Sequence, residues 1–299
     1  MTSYVTITER PELREPVLIV MLSGWIDASG AAAAAMSVLE SECSAHTIAT
    51  FDRDTFIDYR ARRPVMEIRE GRNSRLVWPD IELKVGRDRC GRDVLLLTGH
   101  EPDMAWSRFA QSAADLAVEF GVTKAIGIGA YPLAVPHTRN PRLSCTAPDA
   151  DVVARLPFIK SSVDVPAGME AVLEQTFFEH QIETFGIWVQ VPHYVSQMSY
   201  PAATVALLNA LGDATNLVVD DAGPRSEALL QRSRLDDLVT GNKDHEAMVH
   251  QLEQLYDSDD GFDNEGRNHP SMSGPIDGNE LPSGEELAAE LEQFLRDQG

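Results

Sequence analysis

Cysteine is scarce in this sequence, and its few residues lie far apart. The chain has three cysteines, Cys43, Cys90 and Cys145, and no two of them form a CxxC pair. An odd, widely spaced set of this kind excludes a disulfide framework and a cysteine zinc site, and it favours a reducing cytoplasm. An HExxH motif and a tight histidine cluster are also absent, so we expect no bound metal.

Long apolar runs and basic residues are lacking as well. No apolar run approaches the roughly 18 residues that a bilayer span needs, and residues 1–16 are polar, unlike a signal or transit peptide. The chain has 25 basic and 47 acidic residues, which gives a net charge of −22. Because a phosphate backbone needs a basic surface, this balance argues against nucleic acid as a partner. We therefore expect a cytoplasmic protein that binds neither membrane nor nucleic acid.

The common nucleotide and hydrolase motifs are absent too. Gly24 and Gly30 lie six residues apart, and GxGxxG, GxxxxGKS and GxxxxGKT do not occur, which removes the Rossmann and P-loop fingerprints. GxSxG is likewise missing, so the usual nucleophile elbow is excluded. We expect no bound cofactor.

What is present is a repeated pattern of buried strands and helices. Residues 16–39 open with an unbroken apolar run, turn at Ser23 and Gly24, and continue into an alanine-rich helix. Similar apolar runs recur at residues 93–99, 124–130 and 185–191. Short apolar runs bounded by turn residues are typical of strands buried on both faces, and a helix between two of them indicates parallel neighbours. The pattern predicts an α/β fold with a mostly parallel sheet.

The remaining segments predict appended helices and an acidic tail. We predict a core domain over residues 1–222, a helical hairpin over 223–257, an acidic flexible linker over 258–282 and a short amphipathic helix over 283–299. Residues 251–299 hold 13 acidic and 2 basic residues, which is half of the chain's net charge. Short alternating stretches between residues 65 and 85 predict hairpins at one edge of the sheet.

The ends of the four apolar runs carry the candidate site. In an open sheet the carboxyl ends of parallel strands line one crevice, so side chains that follow these runs should converge there. The candidate catalytic residues are Asp27, Glu101 and His193. The candidate ligand-binding residues are Gly24, Trp25, Asp27, His100, Tyr131, His137, Arg139 and His193. Such a set could support acid–base chemistry or the recognition of a carboxylate or phosphate.

Structural roles compete with these assignments. Asp27 precedes the alanine-rich helix, so capping of that helix is favoured over catalysis. His193 is the better candidate, although a backbone group could bind its ring instead. Arg139 could hold an anion or pair with one of many acidic side chains. Trp25 and Tyr131 could wall a pocket or belong to the core or an interface.

Four stretches of the chain, taken together, resemble a known family. They are residues 24–28 (GWIDA), 99–102 (GHEP), 127–132 followed by 137–139 (HTR), and 191–194 (VPHY) followed by 200–202 (YPA). In this order and spacing they resemble the proteasome assembly chaperone 2 family as it occurs in actinobacteria. The likeness spans residues 15–215, and the arginine-rich, lysine-poor balance fits a bacterium with a high GC content.

The resemblance implies a fold, an assembly and a class of partner. The implied fold has three α/β/α layers and is similar to the nucleoside phosphorylase core. The family also implies self-association, as a dimer or trimer, and a role as chaperone or adaptor for proteasome-related proteins in eukaryotic and archaeal relatives. Relatives that dock on proteasome rings often end in a hydrophobic residue, a tyrosine and any residue. This chain ends Arg296-Asp297-Gln298-Gly299, so docking by the tail is not expected.

The sequence leaves two classes of function open. The leading hypothesis is a non-enzymatic, self-associating protein-interaction module, because the family likeness is present and catalytic signatures are missing. The alternative is a small-molecule-binding protein or a hydrolase- or transferase-like enzyme that uses the crevice at the strand ends. In that alternative His193 acts as acid and base, Asp27 orients it, and Arg139 clamps an anion.

Overall fold

A computed structural model describes residues 4–24 and 26–259 of the chain. Its strands are β1 (Val5–Ile7), β2 (Val17–Ser23), β3 (His46–Phe51), β4 (Val65–Arg69), β5 (Arg72–Val77), β6 (Ile81–Arg87), β7 (Asp93–His100), β8 (Lys124–Leu133), β9 (Leu143–Thr146) and β10 (Glu183–Pro192). Its helices are α1 (Ala31–Glu42), α2 (Arg53–Phe56), α3 (Trp106–Glu119), α4 (Ala150–Arg155), α5 (Met169–Glu179), α6 (Pro201–Thr215), α7 (Ala222–Thr240) and α8 (Lys243–Asp259).

One eight-stranded sheet organises the molecule, in the order β1-β3-β6-β7-β2-β8-β10-β9. The strands β7, β2, β8 and β10 are parallel neighbours at its centre, and the strands outside them pair antiparallel. The central strand β2 pairs with strands far along the chain, because Val17 lies opposite Val94 on one side and Lys124 on the other. The predicted α/β fold is confirmed, with antiparallel strands at both edges.

Helices cover both faces of the sheet. On one face α1 and α6 pack over a core that includes Ile19 and Ile187. On the other face α3 and α5 pack over a second core that includes Leu18 and Phe109. Successive side chains of a strand point to opposite faces, so the neighbours Leu18 and Ile19 belong to different cores. The three α/β/α layers that the family resemblance implies are therefore present.

The strands β4 and β5 form a separate two-stranded ribbon, which we call the arm. Among the described strands they pair only with each other, with Val65 opposite Val77 and Arg69 opposite Arg72. The third of the predicted short stretches became β6, which lies inside the main sheet between β3 and β7. The first two predicted stretches therefore do form a hairpin, but the predicted position at the edge of the main sheet was wrong for the hairpin and for β6. Alternating polarity alone does not distinguish a strand of the main sheet from a ribbon that projects from it.

The helices α7 and α8 follow the sheet and pack on the α6 side of the core. Their buried side chains Leu235, Met248, Val249 and Leu252 belong to the same apolar cluster as Ile187. The division into a core of residues 1–222 and a helical appendage of residues 223–257 stays a prediction. Most of the predicted linker and the whole predicted final helix lie outside the described residues. None of the helices between residues 4 and 259 is long and apolar enough to cross a bilayer.

Candidate functional site

The carboxyl ends of β2, β7, β8 and β10 lie side by side, because these strands are parallel neighbours. The segment after β2 extends this alignment, with Asp27 forming a bridge to Ala130 of β8. The candidate residues are nevertheless distributed over both faces of the sheet. Trp25 lies outside the described residues. The remaining candidates are described one after another, each with the residues that it contacts.

Asp27 caps the helix that follows it. Its Oδ1 accepts a hydrogen bond from the backbone N–H of Ala32 at 2.8 Å, and its Oδ2 accepts one from Ala33 at 3.0 Å. These amides belong to the first turn of α1, where an anionic ligand would otherwise bind. Burial raises the pKa of Asp27, although both hydrogen bonds oppose that shift. The carboxylate therefore fills the anion position at the start of α1.

His100 lies at the end of β7, near Arg62, a residue that the sequence analysis did not identify. Its Nδ1 is 3.0 Å from Ser23 Oγ, and the charge of Arg62 adds to burial in lowering the pKa of His100. Arg62 forms an ion pair with Asp103. It also lies against Gly24, where a Cβ atom would be 2.7 Å from Arg62 Nη2. Gly24 has a φ of +129°, a backbone conformation that other residues rarely adopt, so this position favours glycine.

Glu101 connects the end of β7 to the start of α5. Its Oε1 accepts a hydrogen bond from the backbone N–H of Met169 at 2.6 Å. The next residue, Glu170, extends over β8, where a Cβ atom on Gly127 would lie 1.8 Å from Glu170 Oε1. Burial raises the pKa of Glu170 well above its ordinary value, and the charges of Glu174, Asp27 and Glu101 add to the rise. Glu170 Oε1 is shielded from solvent and has no hydrogen-bond partner in the part of the chain that the structure describes.

Glu174, one turn further along α5, is a second buried carboxyl. Its Oε1 accepts a hydrogen bond from Thr146 Oγ1 at 2.7 Å, and Thr146 Oγ1 also accepts one from Trp188 Nε1 at 3.0 Å. Burial raises the pKa of Glu174 to about 7, and the Thr146 bond opposes the rise. Glu174 helps to line an open groove of about 500 Å³. The other lining residues are Thr146, Ala147, Pro148, Ala167, Ala171, Val172 and Gln175.

Tyr131 belongs to the same polar face of the sheet as Glu174. Its hydroxyl accepts a hydrogen bond from Gln190 Nε2 at 3.2 Å and lies 3.2 Å from Ser144 Oγ. Tyr131 and Gln190 lie opposite each other on β8 and β10, and Gly129 lies opposite Trp188. Tyr131 therefore completes a polar network across three strands.

His137 and Arg139 lie towards the C-terminal helices and hold them on the core. The Tyr194 hydroxyl accepts a hydrogen bond from the backbone N–H of His137 and is 2.7 Å from His137 Nδ1. A carboxylate only accepts hydrogen bonds, so Nε2 of His137 donates to Asp236 Oδ1 of α7 at 3.2 Å, and Nδ1 of the neutral ring accepts the Tyr194 hydroxyl proton. Burial lowers the pKa of His137, and the charge of Asp236 opposes the shift. His137 is thus a buried link between the core and α7.

Arg139 forms a bidentate ion pair with α8. Its Nε and Nη2 donate to the two carboxylate oxygens of Asp257 at 2.8 and 2.7 Å, and its Nη1 donates to Glu253 at 3.0 Å. The hydrogen bonds to Asp257 raise the pKa of Arg139 further above its already high ordinary value. The guanidinium is therefore occupied by two carboxylates of this chain.

The candidate His193 and the nearby Ser29, which the sequence analysis did not identify, have free hydrogen-bonding capacity. Burial lowers the pKa of His193, a backbone hydrogen bond at Leu133 opposes the shift, and Nδ1 is buried without a partner. Ser29 has a φ of +62°, and its Oγ is also buried without a partner. Its backbone N–H donates to Ser196 O at 2.6 Å, in the turn that His193 begins. In the described part of the chain, the buried side-chain atoms without a partner are Ser29 Oγ, Glu170 Oε1 and His193 Nδ1.

Four residues of this region were missed by sequence reasoning: Ser29, Arg62, Glu170 and Glu174. Two sequence signals could have found the carboxyls. Glu170 and Glu174 lie four residues apart on one helix, and glycines interrupt two buried strands at positions 127, 129 and 186. Glycine within a buried strand leaves room for a long side chain from a neighbouring element. Among residues 4–24 and 26–259, no three histidine, cysteine or acidic side chains are grouped so that they could hold a metal ion.

Comparison with known proteins identifies the family. The model of the PAC2 family matches residues 21–239. A Corynebacterium glutamicum protein of unknown function is 31% identical, with a TM-score of 0.80 over 86% of this chain and 98% of its own. A Mycobacterium tuberculosis proteasome-assembly chaperone homologue is 27% identical, with a TM-score of 0.72 over 78% of this chain and 99% of its own.

More distant structures share the fold alone. An archaeal proteasome activator from Pyrococcus furiosus is 18% identical, with a TM-score of 0.60 over 78% of this chain and 97% of its own. No protein with a curated description matches the chain. The family model covers well over half of the sequence. The assignment to a family therefore rests on this match and not on the similarity of the fold to distant structures. This chain belongs to the PAC2 family.

Proposed function

We propose that this protein is a non-enzymatic, self-associating protein-interaction module of the proteasome assembly chaperone kind. Its partners are further copies of itself and proteasome-related proteins, and it acts in the cytoplasm. The M. tuberculosis relative that is described as a proteasome-assembly chaperone homologue supports this class of function. The archaeal proteasome activator supports it at the level of the fold.

The observation that carries the proposal is the apolar surface that a single chain leaves open. Val65 of the arm is 64% exposed. Leu229 and Leu230, which are consecutive residues of α7, are 69% and 61% exposed. Scattered apolar residues are normal on a protein surface, but neighbouring large ones mark interaction sites. Burying such side chains against a partner removes apolar area from water, which is the main favourable term in protein association.

The contacts at the strand ends support a non-enzymatic function. Asp27 holds α1, Glu101 holds the start of α5, and Arg139 holds α8. A catalytic acid, orienting carboxylate or anion clamp needs a free hydrogen-bonding position towards its substrate. Here these positions are filled by groups of the same chain for the carboxylate Asp27 and the guanidinium of Arg139, whereas Nδ1 of His193 stays without a partner among the described residues. The polar residues at this edge therefore fix the helices around the sheet.

Molar mass in solution tests the proposal. Light scattering after size-exclusion chromatography should give a multiple of the chain mass of 32.9 kDa at micromolar concentration. Affinity capture from a lysate of an actinobacterium, followed by mass spectrometry, should recover proteasome subunits. A protein that stays strictly monomeric and recovers no proteasome subunit would contradict the proposal.

A small-molecule binder or enzyme is the second candidate, and the unpartnered atoms favour it. Ser29 Oγ, Glu170 Oε1 and His193 Nδ1 are buried hydrogen-bonding atoms near the carboxyl ends of the strands. Unpaired buried polar atoms cost free energy, and at functional sites they are often completed by a ligand. A thermal-shift screen of amines, carboxylates and nucleosides should then give a compound that stabilises the wild type but not His193→Ala. Compounds that stabilise both proteins equally would count against this site.

A further inference from the structure

Two carboxyls of α5 lie side by side over neighbouring strands. A Cβ atom on Gly127 of β8 would lie 1.8 Å from Glu170 Oε1, and one on Gly186 of β10 would lie 2.6 Å from Glu174 Oε1. Gly127 and Gly186 are opposite each other in the register of these strands, and neighbouring strands lie about 5 Å apart. One small group can therefore contact both carboxyls, which we call the carboxyl pair.

No lysine or arginine of the described residues neutralises the carboxyl pair. Neither Glu170 nor Glu174 forms an ion pair within residues 4–24 and 26–259. The charges that act on Glu170 are all acidic and belong to Glu174, Asp27 and Glu101. Buried charges in proteins are normally paired with an opposite charge or hydrogen-bonded. The carboxyl pair therefore lacks the positive group that would offset its burial.

The open groove of about 500 Å³ beside α5 leads to this pair. Glu174 lines the groove although the residue is only 7% exposed. Thr146 donates to Oε1 of Glu174 at 2.7 Å, so Oε2 is the oxygen left to accept a bond from a molecule in the groove. Most of the other lining residues are small and apolar, namely Ala147, Pro148, Ala167, Ala171 and Val172. The groove therefore has an acidic end and apolar walls.

These acceptors fit an ammonium group better than a guanidinium or a metal ion. A guanidinium binds best as a fork on both oxygens of one carboxylate, and Thr146 already occupies Oε1 of Glu174. The described residues do not group three side chains that could hold a metal ion. An ammonium is a compact charge with three donors, so it can bond to Oε2 of Glu174 and to the unpartnered Oε1 of Glu170 together.

We propose that this groove binds a small primary alkylamine in its ammonium form. The ammonium contacts the carboxyl pair, and the alkyl chain packs on the apolar walls of the groove. This inference goes beyond the proposed self-association and does not rest on it. From the second candidate function it keeps Glu170 and uses neither Ser29 nor His193.

A ligand-observed NMR titration of the full chain with butylamine tests the inference. Butanol has the same alkyl chain without a charge, and butylguanidine has the same charge on a different head group. Constant ionic strength keeps the general attraction of a chain with a net charge of −22 for cations equal in all titrations. We expect butylamine to bind about tenfold or more tightly than butanol, because charge-assisted hydrogen bonds are the strong ones. Butylguanidine should bind more weakly than butylamine.

Two variants separate the charge from the space. Glu174→Gln keeps the bond to Thr146 but removes the charge, and Ala171→Leu fills the groove but keeps both carboxyls. Glutamine and leucine are both good helix formers, so circular dichroism should match the wild type. Each variant should weaken butylamine binding about tenfold or more. Glu179→Gln, exposed at the end of the same helix, should bind butylamine as the wild type does.

The pH dependence gives a readout that a purely structural role of Glu174 would not produce. The pKa of Glu174 is about 7. The titratable groups near it are Glu170 on α5 and Cys145 on β9, and burial raises the pKa of that thiol, so it stays neutral. Binding needs the carboxylate, and butylamine stays charged throughout. The affinity should therefore rise about tenfold between about pH 6 and about pH 8 in the wild type and stay constant in Glu174→Gln.

The outcomes decide this inference separately from the proposed function. Butylamine that binds no more tightly than butanol, or equally to the wild type and Glu174→Gln, would overturn it. Tighter binding of butylguanidine, or displacement of butylamine by calcium or magnesium, would overturn the ammonium as the group that the site selects. A monomeric wild type that binds butylamine in this groove would contradict self-association and support the site.

Discussion

The two faces of β8 and β10 are built from alternate residues of the same strands, yet they differ in chemistry. On the α6 side, Ile126, Ile128 and Ile187 are buried in a continuous apolar core. On the α5 side, Gly127 and Gly186 leave room for two carboxyls from a helix. The first face is apolar and well packed, whereas the second face holds hydrogen-bonding groups.

One face of the sheet stabilises the fold, and the other face of the same sheet carries the buried polar groups whose hydrogen bonding is incomplete. Burial of the isoleucines stabilises the fold by removing apolar area from water. Burial of Glu170 and Glu174 opposes folding at neutral pH, because both carboxyls have raised pKa values and must either stay protonated or carry a charge away from water. If this comparison is right, truncation on the α6 side and neutralisation on the α5 side should change stability in opposite directions.

The largest effect should come from Ile187→Ala on the apolar face. Ile187 is fully buried, and its neighbours cannot fully close the cavity that alanine would leave. We expect the free energy of unfolding to fall by about 3 to 4 kcal/mol, measured by urea denaturation near neutral pH. A loss below about 1 kcal/mol would mean that the α6 side is not the tightly packed face.

Glu174→Gln on the polar face should instead stabilise the protein, with a specific pH dependence. The pKa of Glu174 in the folded state is about 7, above its ordinary value of 4.5. The wild type therefore loses stability as the pH rises from 4.5 to about 7. Over this range the carboxyl of Glu174 is deprotonated in the unfolded chain, so folding must either take up a proton or bury a charged carboxylate. The glutamine oxygen can still accept the bond from Thr146.

The measurement is urea denaturation of both proteins at several pH values. We expect the variant to gain about 2 to 3 kcal/mol above about pH 8 and to lose this advantage below about pH 4. Glu179→Gln, at the end of the same helix, is the control and should show neither the gain nor its pH dependence. An advantage of Glu174→Gln that does not change with pH would rule out titration as its cause.

Tyr194→Phe tests the link between the apolar face and α7. The substitution keeps the ring but removes the hydroxyl that serves both the backbone N–H and Nδ1 of His137. Because His137 is buried, both groups would lose their partner, and we expect a loss of about 1 to 2 kcal/mol in the free energy of unfolding. Tyr59→Phe, outside this network, should not loosen α7 in hydrogen exchange.

The smallest effect should come from Arg139→Gln, and it should be local. The variant loses the bidentate pair with Asp257, but Arg142 still donates to Tyr256 O at 2.7 Å and stacks on its ring. We expect faster hydrogen exchange of α8 amides with no change in those of α1, since partly exposed ion pairs contribute little to global stability. Equal protection of α8 in both proteins would show that Arg139 does not hold it.

The sequence was most informative where periodicity and burial agree. The four apolar runs became β2, β7, β8 and β10, since a strand buried on both faces leaves a continuous apolar signal. The helix-capping interpretation of Asp27 also agrees with the structure, because a capping side chain acts within a few residues of its own position. Local physics therefore predicted the centre of the fold and one candidate side chain.

The rest of the site depended on contacts between distant residues. Glu170 lies beside Gly127 only because α5 crosses β8, and Arg62 reaches Gly24 from a loop 38 residues later in the chain. Arg139 faces α8 because the last described helices return to the core. No local pattern contains these pairings, so the residues that approach the strand ends from elsewhere could not be identified from spacing alone.

The position of β2 at the centre of the sheet has a consequence for synthesis of the chain. Residues 17–22 form its apolar run, but their partners begin at Val94 and Lys124. At about 5 to 20 residues per second, a ribosome needs roughly 5 to 20 seconds to add the intervening part of the chain. Until β7 is added, one of the most apolar segments of the protein has no native parallel strand to pair with, and its second side stays open until β8 follows. The nascent chain is therefore most prone to aggregation, and most in need of chaperones, before β8 has emerged.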